Sequence, residues 1–532
     1  MIKAILCILV LLTSCLAQAV SDTPNIIFLD NTKKFQKIRA FGASDAWIID
    51  PLVKKWIKNG RQNKLQQLSQ LLFSPDQGIG LTAWRFNLGA GSLEQGEASQ
   101  IRLDPLGKPY RRAGLLQKLP YGPIDPNAQQ GQLYLLKQAA HYKVPDLIAF
   151  VNSPPVWATK NGLAFPDRDT QSSNLNPEMQ SAYVDFLINA IQYLRQELSV
   201  PINFISPVNE PTWEWKNGNQ EGSPFNNQEL KSLYLELYQK LKHLNLSSQV
   251  QIEGGEVVEY AAALSDQTFQ QFNGNSDVYQ GGMNKNGKGL YKNYIQDFLG
   301  DPAMRTVLGN KLSLHGYFSD AASERLGPLR DQVWQHAQTV SPGAELWMSE
   351  MCILGGPADI RKFRGRKFDG QNMQNALHIA RIMHRDLTRL NVSAWHWWLA
   401  VTAYDYKDGL LKVNAELDAD SLITSKTFWA LGQYSRFIRP GYYRIETTGA
   451  DDLNGLMASA YQSPTGHKQV VVIINAAPES KQLKLMGITQ PQHKNVSVYL
   501  TNQTFNLAKQ TDSINFNQFM VPANSITTVT IE

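Results

Sequence analysis

Between residues 36 and 430 the chain alternates short apolar runs with longer stretches in which apolar side chains return every three or four positions. The runs at 38–44, 81–87, 146–153, 204–209, 251–254, 311–316, 345–350 and 393–398 have the length and the bounding residues of buried strands. Each gap between them has room for a helix and a loop, as successive right-handed βα units require. The helical period is clearest after Asn176, which can cap a helix that carries Pro177 in its first turn. Met179, Tyr183, Phe186, Leu187, Ala190, Ile191 and Leu194 then form one apolar stripe, and Ala376, Ile379, Ala380, Met383 and Leu387 form another within 372–390. Eight such units predict an α/β fold, a (β/α)8 TIM barrel with long loops.

After residue 431 the pattern changes. A continuous β-branched run at 469–475, a second strand at 496–500 and a third at 525–531 are separated by turn residues such as Ser463-Pro464-Thr465-Gly466. They predict an appended all-β sandwich domain over 431–532. A strand at 25–29, within the segment 20–35, precedes the barrel and is expected to join that sandwich. At the N-terminus, Lys3 and the apolar run from Ala4 to Leu12 are too short for a bilayer span but suit an export signal. Ala17-Gln18-Ala19 offers a cleavage site, making 1–19 a signal peptide, while Leu12-Thr13-Ser14-Cys15 resembles a lipobox with a mature start at Cys15. The expectation is an exported protein, secreted, periplasmic or lipid-anchored at the cell surface, that meets a membrane only through Cys15.

Composition narrows the function. Lys plus Arg number 51 against 46 Asp plus Glu, and a net charge of +5 over 532 residues gives no reason to expect a nucleic-acid partner. Of 3 cysteines, Cys7 and Cys15 fall in the leader, so Cys352 has no partner for an intramolecular disulfide. Cysteine and histidine show no zinc spacing, and neither a metal nor a cofactor is expected. With 12 Trp and 20 Tyr, the chain has ample surfaces on which flat sugar rings can stack.

Barrel chemistry gathers at the C-terminal ends of the strands. Two strand ends stand out, Ser206-Pro207-Val208-Asn209-Glu210-Pro211 on the fourth and Leu346-Trp347-Met348-Ser349-Glu350 on the seventh. One such glutamate alone is more commonly a solvated or ion-paired residue. Two facing one pocket fit glycoside hydrolysis, one carrying a proton for the leaving oxygen and the other attacking the anomeric carbon. Asn209, beside the acid, can bond the sugar 2-hydroxyl.

These residues, with Phe41-Gly42-Ala43-Ser44-Asp45-Ala46-Trp47, Trp84-Arg85-Phe86-Asn87, Asn152-Ser153-Pro154-Pro155-Val156-Trp157, His315-Gly316-Tyr317, Ser349-Glu350-Met351-Cys352 and Trp395-His396-Trp397-Trp398, resemble glycoside hydrolase family 30 over nearly the whole mature chain. The resemblance implies a retaining enzyme with Glu210 as acid/base and Glu350 as nucleophile. It implies that Arg85 supports the nucleophile, that Tyr317 bonds the same carboxylate and that His315 lines the pocket. It further implies that Asp45 binds sugar hydroxyls, with Trp47 and Asn152 also at the substrate. Trp397 or Trp398 should floor the sugar, since strand alternation turns one of them inward. Trp157 and Trp395 serve either core or ligand, and Cys352 reads as a buried filler.

Pro211-Thr212-Trp213-Glu214-Trp215 with Gln220-Glu221-Gly222, and Gly80–Arg85 leading into Gly89-Ala90-Gly91-Ser92, are similar to the endo-β-1,6-galactanase subgroup. Trp213 and Trp215 then either stack on sugars along an endo-acting cleft or pack their loop down. The basic run 361–367 is either a solvated loop or a contact for acidic glycan decorations. The expected activity is an endo-β-1,6-galactanase on arabinogalactan side chains, acting as a monomer on a polysaccharide or oligosaccharide partner. β-1,6-Glucan, glucuronoxylan and a glucosylceramide-like substrate are the alternatives within the family. An inactive carbohydrate-binding protein is the alternative outside catalysis.

Overall fold

In the computed structural model the chain enters through β1 (Asn25–Lys37) and then lays down a parallel sheet curled into a barrel. Its strands are β2 (Ala40–Ser44), β3 (Ala83–Leu88), β4 (Asp146–Val151), β5 (Phe204–Ser206), β6 (Gln251–Ile252), β7 (Gly255–Val257), β8 (Lys311–His315), β9 (Glu345–Glu350) and β10 (Ala394–Thr402), hydrogen-bonded in the order β6-β5-β4-β3-β2-β10-β9-β8-β7. The structure describes residues 24–167, 172–265, 292–319, 326–353, 367–488, 495–511 and 515–532. The leader with both of its exits, and residues 361–366 of the basic run, lie outside them.

The sequence-predicted fifth strand, 251–254, is two pieces. It breaks between β6 and β7 at Gly254 and Gly255, where a Cβ would lie 2.6 Å from Leu308 and 2.5 Å from the Ser313 carbonyl oxygen respectively. Gly255 has φ +107 and Glu256 φ +54. The ring therefore closes through a kinked strand, and the kink decides which side chains enter the barrel.

The floor of the barrel is a layer of Ala40, Ala83, Ile148, Phe204, Trp347 and Ala394, drawn from the early positions of their strands. Helices cover the outside, and local chemistry starts several of them. The Asn226 side chain caps the helix Asn227–His243 and Glu229 reaches back to complete a capping box. Asn372 caps the helix Met373–Thr388. Asn176 caps a 3-10 turn, Pro177–Met179, that leads into the helix Gln180–Gln192.

Alternation along β10 separates its tryptophans. Trp395 and Trp397 face the outer layer, where Trp395 donates to Asp386 at 2.9 Å and Trp397 to the Asp408 carbonyl at 2.8 Å. His396 and Trp398 face the interior, His396 against Trp347 of the floor.

The second unit is all-β. After β11 (Gly409–Lys412) and β12 (Ile423–Thr424), which extend the barrel sheet at β10, come β13 (Tyr443–Thr448), β14 (Leu456–Gln462), β15 (Gln469–Asn475), β16 (Lys481–Met486), β17 (Val496–Thr501), β18 (Ala508–Lys509), β19 (Phe519–Val521) and β20 (Ser525–Ile531). With β1 they form a 9-stranded sheet in the order β18-β17-β20-β15-β14-β13-β1-β16-β19. β1 lies between β13, antiparallel, and β16, parallel. Ile27, Leu29, Ile445, Val471, Ile473, Leu483 and Val529 form the core of this unit. Met457, Val472, Ile474 and Ile526 on the opposite face join the core of the barrel unit. With both faces covered, β15 reads as an unbroken apolar run rather than an alternating one.

Ile27 is buried in this core, while its neighbour Ile26 is 50% exposed. Ile27→Ala is expected to cost about 2–4 kcal/mol in urea unfolding, and Ile26→Ser less than about 0.5 kcal/mol. Equal losses would contradict the orientation of β1.

Candidate active site

Five strands deliver one ionisable side chain each into the barrel above its floor: Arg85 from β3, Glu210 just after β5, Glu256 from β7, His315 at the end of β8 and Glu350 at the end of β9. All five are buried, and none lies near the others in sequence. Arg85 bridges two carboxylates, Nη1 donating to Glu350 Oε2 at 2.6 Å and Nη2 to Glu256 Oε2 at 2.8 Å. Its guanidinium lies over the Phe150 ring at 4.3 Å. The Tyr317 hydroxyl donates to the other oxygen of Glu350 at 3.0 Å, so both oxygens of that carboxylate are held. His315 spans the remaining acids, Nδ1 to Glu210 at 3.2 Å and Nε2 to Glu256 at 3.0 Å, with Glu350 3.6 Å from Nδ1.

Burial dominates the electrostatics. It raises the Glu210 carboxyl above its ordinary value of 4.5, His315 opposes the shift, and the charges of Glu350 and Glu256 add to it. Burial alone would lower the His315 value. The charges of Glu350 and Glu256, with bonds to Glu210 and Glu256, overcome it and push the imidazole up to about 10. Burial would raise the Glu256 value, yet Arg85 and His315 bring it down to about 2. The site thus holds a carboxyl that favours its proton beside a carboxylate oriented by two donors. One oxygen each from Glu210 and Glu350 and one His315 nitrogen all lie within 4.8 Å of one another. Among the described residues this is the group compact enough to grip a cation. Both imidazole nitrogens lie within hydrogen-bond reach of carboxyl groups, Nδ1 of Glu210 and Nε2 of Glu256.

Local backbone geometry aims these groups. Glu210 has φ +43, and Trp47, Trp215 and Phe318 also occupy the left-handed region without being glycines. The Glu210 carbonyl accepts from the Trp213 amide at 2.9 Å and from Trp215 Nε1 at 3.1 Å. Tyr183 donates to the Pro207 carbonyl at 2.6 Å. These bonds hold a turn that its own dihedrals disfavour.

The remaining sequence candidates divide. Trp398 meets Trp47 edge-on at 5.3 Å and Phe150 at 6.2 Å, which sets the inward tryptophan of β10 beside the Arg85 layer. Trp397 is not a floor for the sugar, because alternation sends it outward. The buried Oδ1 atoms of Asn152 and Asn209 have no hydrogen-bond partner among the described residues. Trp213 is half-buried and stacks on Phe318 at 5.9 Å and 7°. Trp215 packs its loop down, its ring filling the space where Gly222 has no side chain. Asp45 is buried, and its Oδ1 accepts from the Asn87 amide at 2.8 Å and from Gln132 on the helix Gln130–His141 at 2.9 Å, while its Oδ2 has no hydrogen-bond partner among the described residues. Cys352 is buried.

Sequence reasoning missed Glu256, along with Ser349 and Phe150 beside it. The signal was Gly254-Gly255, since a glycine pair inside a strand marks a bend. Glu253 and Glu256 are three apart and would face opposite ways on a regular strand. The bend puts both inside, Glu253 accepting from Ser313 and Glu256 from Ser349.

Residues 24–412 match the family model described as O-Glycosyl hydrolase family 30. Glucuronoxylanase XynC of Bacillus subtilis (strain 168) is 25% identical over 192 residues, 36% of this chain and 40% of that protein, so the match spans less than half of this curated relative. A conserved exported protein from Bacteroides fragilis superposes with TM-score 0.77 and 26% identity, over 95% of this chain and 100% of the other. The endo-β1,6-glucanase BT3312 shares the fold at TM-score 0.65 and 17% identity, over 96% and 94% of the two chains. With the family model covering most of its length, the chain belongs to glycoside hydrolase family 30.

Proposed function

We propose that the protein is an exported, retaining β-glycosidase that cleaves internal β-1,6 linkages in the galactan side chains of arabinogalactan. The observation that carries the reaction type is the separation of the two acids. One oxygen of each lies within 4.8 Å of the other, which favours the close spacing of a retaining pair, about 5–5.5 Å, over the roughly 6.5–9.5 Å of an inverting one. Glu350, gripped by Arg85 and Tyr317, attacks the anomeric carbon. Glu210 passes its proton to the glycosidic oxygen, which leaves with the electron pair of the broken bond. Glu210 is then a carboxylate and takes a proton from the water that opens the glycosyl ester, returning the β configuration. The open Oδ1 atoms of Asn209 and Asn152 are acceptors for sugar hydroxyls, and the ring pair Trp398 and Trp47 supplies an apolar wall.

Support for the galactan reading comes from the two segments that resemble the galactanase subgroup. Glu221 of one accepts from the Ala90 amide at 3.0 Å and the Ser92 hydroxyl at 2.6 Å of the other. These bonds join the two motifs, one following β3 and the other following β5, into one structural unit. The fold shared with an endo-β1,6-glucanase favours β-1,6-glucan as the second reading.

Glu350→Ala is expected to abolish turnover while leaving glycan binding. Glu210→Gln should reduce cleavage of a natural glycan by ~10²–10⁴-fold but spare an aryl glycoside whose leaving group needs no proton. Because the acid must keep its proton, wild-type kcat/KM should fall as pH rises through a midpoint above 4.5, and Glu210→Gln should lose that limb. Product analysis on β-1,6-galactan, β-1,6-glucan and glucuronoxylan should give oligosaccharides from the first, with the β anomer appearing first by proton NMR. An initial α anomer would refute retention, and oligosaccharides from glucan alone would move the substrate assignment.

A further inference from the structure

Glu256 is the buried acid that the two-carboxylate reaction leaves without a task. It has no exposure and so cannot touch substrate. Every contact it makes is to another side chain of the site: Arg85 at 2.8 Å and His315 at 3.0 Å on Oε2, and Ser349 at 2.6 Å on Oε1. A strained φ of +54 after a glycine pair holds it there, an arrangement that costs stability and needs a return. His315, in turn, is faced by Glu210 from the β5 end, Glu256 from β7, Glu350 from β9 and the Tyr317 ring. Glu256 is faced by Arg85 and by Glu253 as well.

Of the anions around His315, only Glu256 keeps its charge through the whole reaction proposed above. Glu350 loses its charge when it becomes the glycosyl ester, and Glu210 alternates between acid and base. We propose that Glu256 is a positioning residue which holds His315 as an imidazolium through both half-reactions, so that a fixed cation beside Glu210 favours its release of the proton and its conversion to the base of the second step. The inference rests on the retaining reading. It adds that the protonation cycle of Glu210 is set from beneath by a group the substrate never meets. The bonds are already in place. Nε2 lies 3.0 Å from Glu256 Oε2 and Nδ1 3.2 Å from Glu210 Oε1, so an imidazolium here donates to both. With Glu256 neutral, the ring would give up its proton once Glu350 is esterified. A bare Nδ1 would then accept from Glu210 and keep that carboxyl protonated when it must take a proton from water.

The test is Glu256→Gln in the full chain, which preserves shape and removes charge. NMR titration of the His315 ring should show a wild-type midpoint near 10, and a lower one in the variant, where Glu350 and Glu210 still raise it. Glu256→Asp, with its charge at longer range, should lower it by less. With a dinitrophenyl glycoside the Gln variant should release a burst of phenol and then turn over ~10–100-fold more slowly than wild type, as expected for a lost base. Azide attacks the ester without base catalysis, so it should restore the steady rate of the variant, give a β-glycosyl azide and leave wild type unchanged. An unchanged His315 midpoint would overturn the proposal whatever the rates. So would a slow variant with neither burst nor azide response, the pattern of a merely structural residue. Absence of turnover by wild type on any β-glycan would instead sink the retaining reading, and the His315 titration would still decide the role of Glu256.

Discussion

Charge balance among buried groups is the constraint on which the site depends. Arg85 and His315 are two cations set among Glu210, Glu256 and Glu350, with every partner within hydrogen-bond reach of another. Breaking a buried pair by removing one member typically costs about 3–5 kcal/mol, because the survivor is left charged and alone. The ladder continues toward the floor, where Glu253 is pushed up to about 7 by burial and by Glu256. Burial likewise pulls Lys311 down to about 8, and its ammonium lies over the Phe204 and Trp347 rings. Each rung sets the field felt by the next. The properties of Glu210 therefore belong to the assembly rather than to the residue.

The backbone carries the second constraint. A regular fifth strand would deliver Glu253 or Glu256 to the interior, not both. The Gly254-Gly255 break delivers both, and it leaves Glu256 in a conformation that non-glycine residues seldom adopt. Glu210 lies in a comparable conformation, held by Trp213, Trp215 and Tyr183. Positive φ thus falls on both acids within hydrogen-bond reach of His315, one at each ring nitrogen. Neighbouring hydrogen bonds fix them and leave little freedom to relax.

Much of this was legible in the sequence because it follows from period and position. Strand ends at Glu210 and Glu350, the covered helices and the all-β tail each have a pattern that physics enforces locally. Trp398 could be told from Trp397 only once the facing of β10 was known, since alternation permits either phase. Glu256 was invisible for a further reason. A strand reading assumes unbroken alternation, and the chemistry here depends on its failure at two glycines.

The position of β1 bears on how the molecule reaches this state. Its partner β16 lies at the far end of the chain, and the bond from Asn25 to the Gln482 carbonyl spans 457 positions. During synthesis β1 emerges long before β13 and β16, the two strands that cover its edges. Long-range pairing of this kind is slow because its entropy is lost before any contact forms. The all-β sheet therefore closes around β1 only after the whole barrel segment between that strand and its partners has been made.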